Sequence, residues 1–356
     1  MIFVFGLLFC CCGALSISAE QQPPSTSAKE SRFTLRLPHG KGVVQVCDNA
    51  IVRDIPGGSA AVLQKGKEYL ESMKNNTKHP IAKFTGQWKF EIDRVQMPML
   101  PTCRHMTVFG DENKNYDEAK RFCYLTSANA NDSVTTPATS KSSSFPSESE
   151  SSPSPSACVV YSIGSNNKWD FEEHIYRDTP CSIETFDCTI DATIPSSIRN
   201  RTRYHKFCLG NSAGNVAKQV FLTLPELNAK VGREAGPDYF KIDIEGFEWS
   251  ILKSLVAQVH ANRKLDSHLP MQIYGEFHLD LDKDVNLMKS RQGGLQGFQA
   301  MFSSPAHQHR SPYNGARLRN YFDELFLHGG YMIMHKRPTL QSRNTDLLLV
   351  KVFCPA

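Results

Sequence analysis

Residues 158–164, CVVYSIG, form a short apolar run closed by a glycine, and related runs recur through the second half of the chain. They are SIETFD (182–187), YHKFCLG (204–210), FKIDIEG (240–246) and MQIYGEFHL (271–279). Stretches with helical spacing lie between them: DFEEHIYR after the first run, LPELNAKVG before the fourth and FEWSILKSLVAQVHANR after it. Strands that alternate with helices predict an open, mostly parallel α/β sheet. Two last runs, YMIMHKR (331–337) and DLLLVKVF (346–353), are separated by a polar, turn-rich stretch. They predict an antiparallel hairpin at the edge of that sheet.

The first half is patterned differently. Residues 2–19 are uncharged and largely apolar, then small, and are followed by the polar EQQPPSTS. This is the outline of a secretory signal cleaved near Ala19, without the usual basic start; an uncleaved anchor is the competing reading, and membrane association depends on it. From Thr126 to Ala157 nearly every residue is Ser, Thr, Pro or small. Such a segment lacks the apolar area that offsets the entropy of ordering, so it predicts a disordered linker. The expected organisation is therefore a leader at 1–19, a cysteine-containing accessory region at 20–125 with one helical piece (AAVLQKGKEYLESM), the linker at 126–157, and the α/β domain at 158–356.

Composition narrows the class. The net charge of +4 comes from 40 basic and 36 acidic residues with no basic stripe, so no nucleic-acid partner is expected. Removing the leader takes away Cys10, Cys11 and Cys12 and leaves Cys47, Cys103, Cys123, Cys158, Cys181, Cys188, Cys208 and Cys354. An even count behind a leader suits disulfides in an oxidising compartment, with the pairing open. Sequons at Asn75, Asn131 and Asn200 agree with that route. No CxxC pair points to zinc.

Ligands of open α/β sheets bind at the carboxyl ends of the strands, so the candidate chemistry is sought there. The first run ends in Ser162, Ile163 and Gly164, where a glycine lets backbone approach a ligand closely. Asp187 follows Gly164 by 23 residues, close to the offset at which an acid accepts ribose hydroxyls; an exposed turn or a helix cap is the plain alternative. Asp243 ends the fourth run and Glu245 falls in the next turn, whereas Glu248 suits the positive end of the following helix. Glu276 and His278 are two apart and share a strand face, which suits general acid/base work; a core histidine is the alternative. Asp280, Asp282 and Asp284 lack the glycine and glutamate of a calcium loop. A metal site of the DxD kind, for a glycosyltransferase, is the competing enzyme reading, and a solvated loop the plain one.

CVVYSIGSNNKWDFEEHI, TFDCTI, FKIDIEGFEWSIL and QIYGEFH, in that order, resemble the FkbM-like and methyltransferase-like families of S-adenosylmethionine (SAM) dependent methyltransferases. The resemblance is strongest to a secreted or luminal animal branch, and CRHMTVFGD with DEAKRFC is similar to its upstream cysteine segment. It spans about 100–125 and 158–356. It implies a Rossmann-like class I fold, a seven-stranded mostly parallel sheet ending in an antiparallel hairpin, and SAM as cofactor. Gly164, with Ser162, would lie against the methionyl part, Asp187 would hold the ribose, and Asp243 with Glu245 would line the transfer cleft. His278, Asp243 and Glu276 are the catalytic candidates, acting on an oxygen of a small-molecule or glycan acceptor. An inactive binding module with the same fold is the non-enzymatic alternative. Two departures stand out: one glycine replaces the common GxGxG, and Cys188 replaces a frequent proline.

Overall fold

The computed structural model describes residues 33–38, 41–76, 97–110, 119–125, 158–210, 213–216, 219–244, 247–278, 315–338 and 344–356. The expected leader at 1–19, the Ser/Thr/Pro-rich stretch, Glu245 and Asp280 to Asp284 lie outside them, as does the side chain of His278. Residues 33–356 form one compact unit.

The amino-terminal part supplies β1 (Thr34–Arg36), β2 (Val43–Val46), α1 (Ala50–Asp54), α2 (Gly58–Asn76), β3 (Met106–Phe109) and β4 (Lys120–Cys123). The principal sheet begins with β5 (Val159–Ile163), followed by α3 (Asp170–Asp178), β6 (Ser182–Phe186) and β7 (Thr202–His205). A small sheet of β8 (Cys208–Leu209), β9 (Gly214–Val216) and β10 (Gln219–Leu222) precedes α4 (Leu224–Lys230). Then come β11 (Tyr239–Ile242), α5 (Glu248–Ala261), β12 (Gln272–His278), α6 (Gly315–Gly329), β13 (Tyr331–Pro338), β14 (Asn344–Lys351) and β15 (Phe353–Pro355).

The seven-stranded sheet has the order β13-β14-β12-β11-β5-β6-β7. Strands β12, β11, β5, β6 and β7 are parallel neighbours, and β14 is antiparallel to both β12 and β13. This is the α/β sheet with a closing hairpin that the hydrophobic pattern predicts. One strand is shorter than expected. Run 204–210 contributes only as far as His205 to the principal sheet, and Cys208 and Leu209 pair with β10 in the small one.

Local sequence accounts for the helices that frame the sheet. Asp170, Glu172 and Glu173 fall in the first turn of α3 and Arg177 in its last, matching the helix dipole at both ends. Thr223 and Glu226 make a reciprocal capping box at the start of α4, with a proline in its first turn.

Both faces of the sheet are covered. On one face Phe240, Ile242, Ile273 and Phe277 pack under α5 and α6 with Trp249 and Phe322. On the other, Val160, Ile183, Tyr239 and Tyr274 lie under α3 and the β3–β4 hairpin, with Phe109, Phe122 and Phe171 between. Phe122 meets Tyr239 edge-on at 5.3 Å, and the Gln272 amide exchanges hydrogen bonds with the Cys123 backbone at 2.8 and 2.9 Å. The accessory segment thus supplies part of the core of the described unit.

Four cysteine pairs lie at disulfide distance: Cys47–Cys354, Cys103–Cys123, Cys158–Cys181 and Cys188–Cys208. The first joins the end of β2 to β15, which pairs with β2. All eight cysteines from Cys47 onwards are used, which fits an oxidising environment. Among the described residues no helix is long and apolar enough to cross a membrane.

Candidate functional site

Three successive rungs cross the centre of the sheet from β6 through β5 to β11. The innermost is apolar: Ile183, Val160 and Tyr239 are register partners. The next is polar: Thr185, Ser162 and Lys241. Two residues further, on the same face and at the carboxyl ends, stand Asp187, Gly164 and Asp243. The ladder continues there, since Asp187 N donates to His205 O, Gly164 N to Phe186 O and Asp243 N to Ile163 O. The sequence-predicted trio therefore lies side by side on one rim.

Gly164 is fixed tightly. It has φ +82°, and a Cβ at this position would stand 1.9 Å from the carbonyl oxygen of Asp243. Lys241, two residues before Asp243 and 2% exposed, donates to the Gly164 carbonyl at 2.8 Å. The loop then continues through Asn166 and Asn167, at φ 47° and 57°. Non-glycine residues seldom occupy that region, and they cluster where the surroundings over-determine the backbone.

Asp187 supplies much of that determination. Its Oδ2 accepts the Asn166 N–H at 2.9 Å, and its Oδ1 accepts the N–H and hydroxyl of Thr189 at 2.9 and 2.6 Å. A carboxylate offers about four acceptor positions, so one on Oδ2 remains for a further donor. The Tyr204 hydroxyl reaches the carbonyls of Asp187 and Ile190 at 2.5 and 2.6 Å. Burial, helped by the Asp187 charge, pushes its pKa up to about 12. The Asn167 Oδ1 accepts from Trp169 Nε1 and Thr193 N, tying the loop to the start of α3. Sequence reasoning did not single out either asparagine; the signal available was the tolerance of Asn for the left-handed region.

The rim continues beyond Asp243. Ile242 pairs with Gly275, so Glu276 holds the next position on β12, and its partners across the hairpin are Asp346 and then Arg337. The Arg337 Nε donates to Asp346 Oδ2 at 2.9 Å, as does the Tyr274 hydroxyl at 3.1 Å. Lys120 from β4 is fully buried and lies 3.8 Å from Glu276 Oε2. Glu276 is thus ion-paired as well as placed near Asp243. The backbone of His278 lies opposite Asn344 in the β12–β14 ladder. Glu248 opens α5, and its Oε1 accepts the Ile244 N–H at 2.8 Å, holding the turn after Asp243.

A glycine at the end of β5, with an acid at the end of the neighbouring strand on either side, stands at the carboxyl rim of a Rossmann-like α/β domain, where ligands of such sheets bind. The family model described as a methyltransferase domain matches residues 45–276, and the chain belongs to that family. The match begins within the accessory segment, ahead of the region that the motifs cover. Membership makes SAM the cofactor of this methyltransferase fold. The chain's residues fit it in one specific respect: the Asp187 carboxylate at the end of β6 keeps one acceptor position on Oδ2 beside the glycine loop.

No curated relative matches the chain at a significant level. Among solved structures, a "possible exported protein" from Bordetella parapertussis is 12% identical over 56% of this chain and 62% of its own length, at a TM-score of 0.28. A 16S rRNA (adenine(1408)-N(1))-methyltransferase from Catenulisporales acidiphilia is 8% identical over 56% of this chain and 87% of its own, at 0.31. An O-methyltransferase family 2 protein from Planctomyces limnophilus is 14% identical over 55% of this chain and 51% of its own, at 0.29. The chain thus spans less than two thirds of the first and third. Nothing about activity follows from likenesses this distant.

Proposed function

We propose that the chain is a SAM-dependent O-methyltransferase of the FkbM-like, secreted or luminal branch, acting on an extracellular or luminal acceptor such as a glycan. The observation that carries the reading is the shared rim of Asp187, Gly164 and Asp243, within a family of methyltransferase domains. The four cysteine pairs support the compartment.

Bound SAM supplies a methyl group activated by a sulfonium. The work left to the chain is mainly positioning, because transfer is an in-line displacement. Asp187 accepts from the ribose hydroxyls through its remaining Oδ2 position. Gly164 admits the methionyl part against bare backbone. Asp243 lines the cleft beside it, and Glu245 is the second carboxylate that the family resemblance assigns to it. An acceptor hydroxyl also needs a base, and His278 takes that role, with Asp243 and Glu276 on the adjoining positions as the next candidates.

A thermal-shift titration of the full chain with SAM and S-adenosylhomocysteine is the first test, since a ligand specific for the native state raises the melting temperature. Saturable stabilisation by both is expected; none at millimolar ligand removes the cofactor role. His278→Gln should then lower kcat by about 10²-fold or more without weakening SAM binding. An unchanged kcat would move the base elsewhere.

A further inference from the structure

The turn that leads into β7 holds one asparagine outward. Ile198 is buried and its N–H donates to Pro195 O at 3.2 Å, while Arg201 N donates to Ile198 O at 3.3 Å. The Arg201 guanidinium turns inward: it donates to the carbonyls of Thr179 and Cys181 at 2.7 and 2.8 Å and lies 4.0 Å from the Tyr176 ring. With Ile198 and Arg201 fastened, Arg199 and Asn200 between them are exposed. Asn200 opens the sequon Asn200-Arg201-Thr202.

Thr202 begins β7 in register with Ile183 and is 3% exposed, and its hydroxyl oxygen has no hydrogen-bond partner among the described residues. A buried hydroxyl without a partner is a net cost, and valine would fill the same place on a strand without it. The fold thus has no use for this hydroxyl, whereas the sequon requires one at this position. β7 is also an outer strand: among the described residues it pairs with β6 alone. Such an edge offers unpaired N–H and C=O groups to other chains unless something covers it.

We propose that Asn200 carries an N-linked glycan, which screens the open edge of β7 against strand pairing with other chains. The site rests on the compartment reading above and goes beyond it. In the transfer, Asn200 Nδ2 bonds to the anomeric carbon of a lipid-linked oligosaccharide. The lipid pyrophosphate leaves with the electron pair of the broken C–O bond, and the amide proton passes to solvent. Because Thr202 is buried in the folded sheet, the modification precedes the docking of β7 against β6. The glycan is bulky and hydrophilic, and it emerges two residues before the strand that it covers.

The test is mass spectrometry of the full chain secreted from a eukaryotic host, after enzymatic release of N-glycans in heavy-oxygen water, which leaves a labelled aspartate wherever a glycan stood. The wild type and Thr202→Ser should be labelled at position 200, and Asn200→Gln and Thr202→Val should not. Light scattering should then show a several-fold rise in aggregate for both unglycosylated variants and none for Thr202→Ser. Thr202→Val removes an unpaired buried hydroxyl and should melt no lower than Asn200→Gln, so the loss that the two share belongs to the glycan. If the valine variant does not fold, Asn200→Gln decides, because its side chain is exposed. An unlabelled position 200 beside label at Asn75 or Asn131 overturns the site and leaves the compartment reading intact. No label at any of the three sinks both together. A labelled wild type whose Asn200→Gln variant stays monomeric overturns the screening role.

Discussion

The α-carbon of Gly164 faces the carbonyl oxygen of Asp243 so closely that one added methyl group would stand 1.9 Å from it. Backbone, not a flexible side chain, fills that space, so neither partner can swing away. A residue with a side chain also loses about 1 kcal/mol or more at positive φ. Gly164→Ala should therefore lower the melting temperature by several degrees and abolish the SAM-induced shift. An alanine protein that still responds to SAM would mean that the cofactor does not use this turn.

Asp187 ends β6 with its carboxylate spent largely on holding the Asn166 and Thr189 backbone. Asp187→Ala should weaken SAM at least tenfold, through the lost ribose acceptor and the released loop together. Asp187→Asn retains one acceptor oxygen and should fall between the two. Calorimetry gives the order directly, and equal affinity in all three proteins would end the ribose assignment.

Cys188 and Cys208 follow β6 and β7, with Cα atoms 4.9 Å apart and a sequence separation of 20. Closing a loop of that size is worth about 3 kcal/mol in the chain-entropy account. Cys188→Ser with Cys208→Ser should lose that much in urea unfolding and weaken SAM binding as well, because Cys188 adjoins Asp187. The Cys158–Cys181 pair joins the amino ends of β5 and β6, away from the rim. Its double serine variant should lose comparable stability while retaining affinity in the fraction that remains folded.

His335 should make the fold acid-sensitive. Burial first, then Arg121 and Arg337, push its pKa down from 6.5 to about 4. The unfolded chain protonates this ring below about pH 6.5 and the native one only near 4. Stability is thus complete above 6.5 and is lost as pH falls towards 4. Asp238, Asp323 and Asp346 work in the opposite direction, because burial raises each of them. The readout is therefore a difference: His335→Gln should flatten the fall in melting temperature between pH 6.5 and 4 relative to the wild type. Parallel profiles would remove His335 as its source.

Much of the sheet was legible because its strands are short apolar runs bounded by helical patterns, a local property of the chain. The third strand was misjudged for the same reason. The apolar character of YHKFCLG continues past His205, but periodicity cannot register that the chain turns there and joins another sheet. Gly164, Asp187 and Asp243 were found because the strand ends could be counted. Of the polar rung only Ser162 was, since its pairing with Thr185 and Lys241 exists only once three strands are in register. Cysteine pairing is likewise non-local: Cys47 and Cys354 are 307 residues apart. Lys120 was invisible as a site neighbour, because nothing in KRFC announces that it will end beside Glu276.

The β3–β4 hairpin has a practical corollary for anyone dividing this polypeptide. A recombinant fragment starting at Cys158 would contain every motif strand, yet Tyr239 and Tyr274 would be stripped of Phe109 and Phe122 and would face water. Glu276 would lose the ammonium beside it, and Cys354 would be left as an unmatched thiol. The smallest piece worth purifying starts near Phe33.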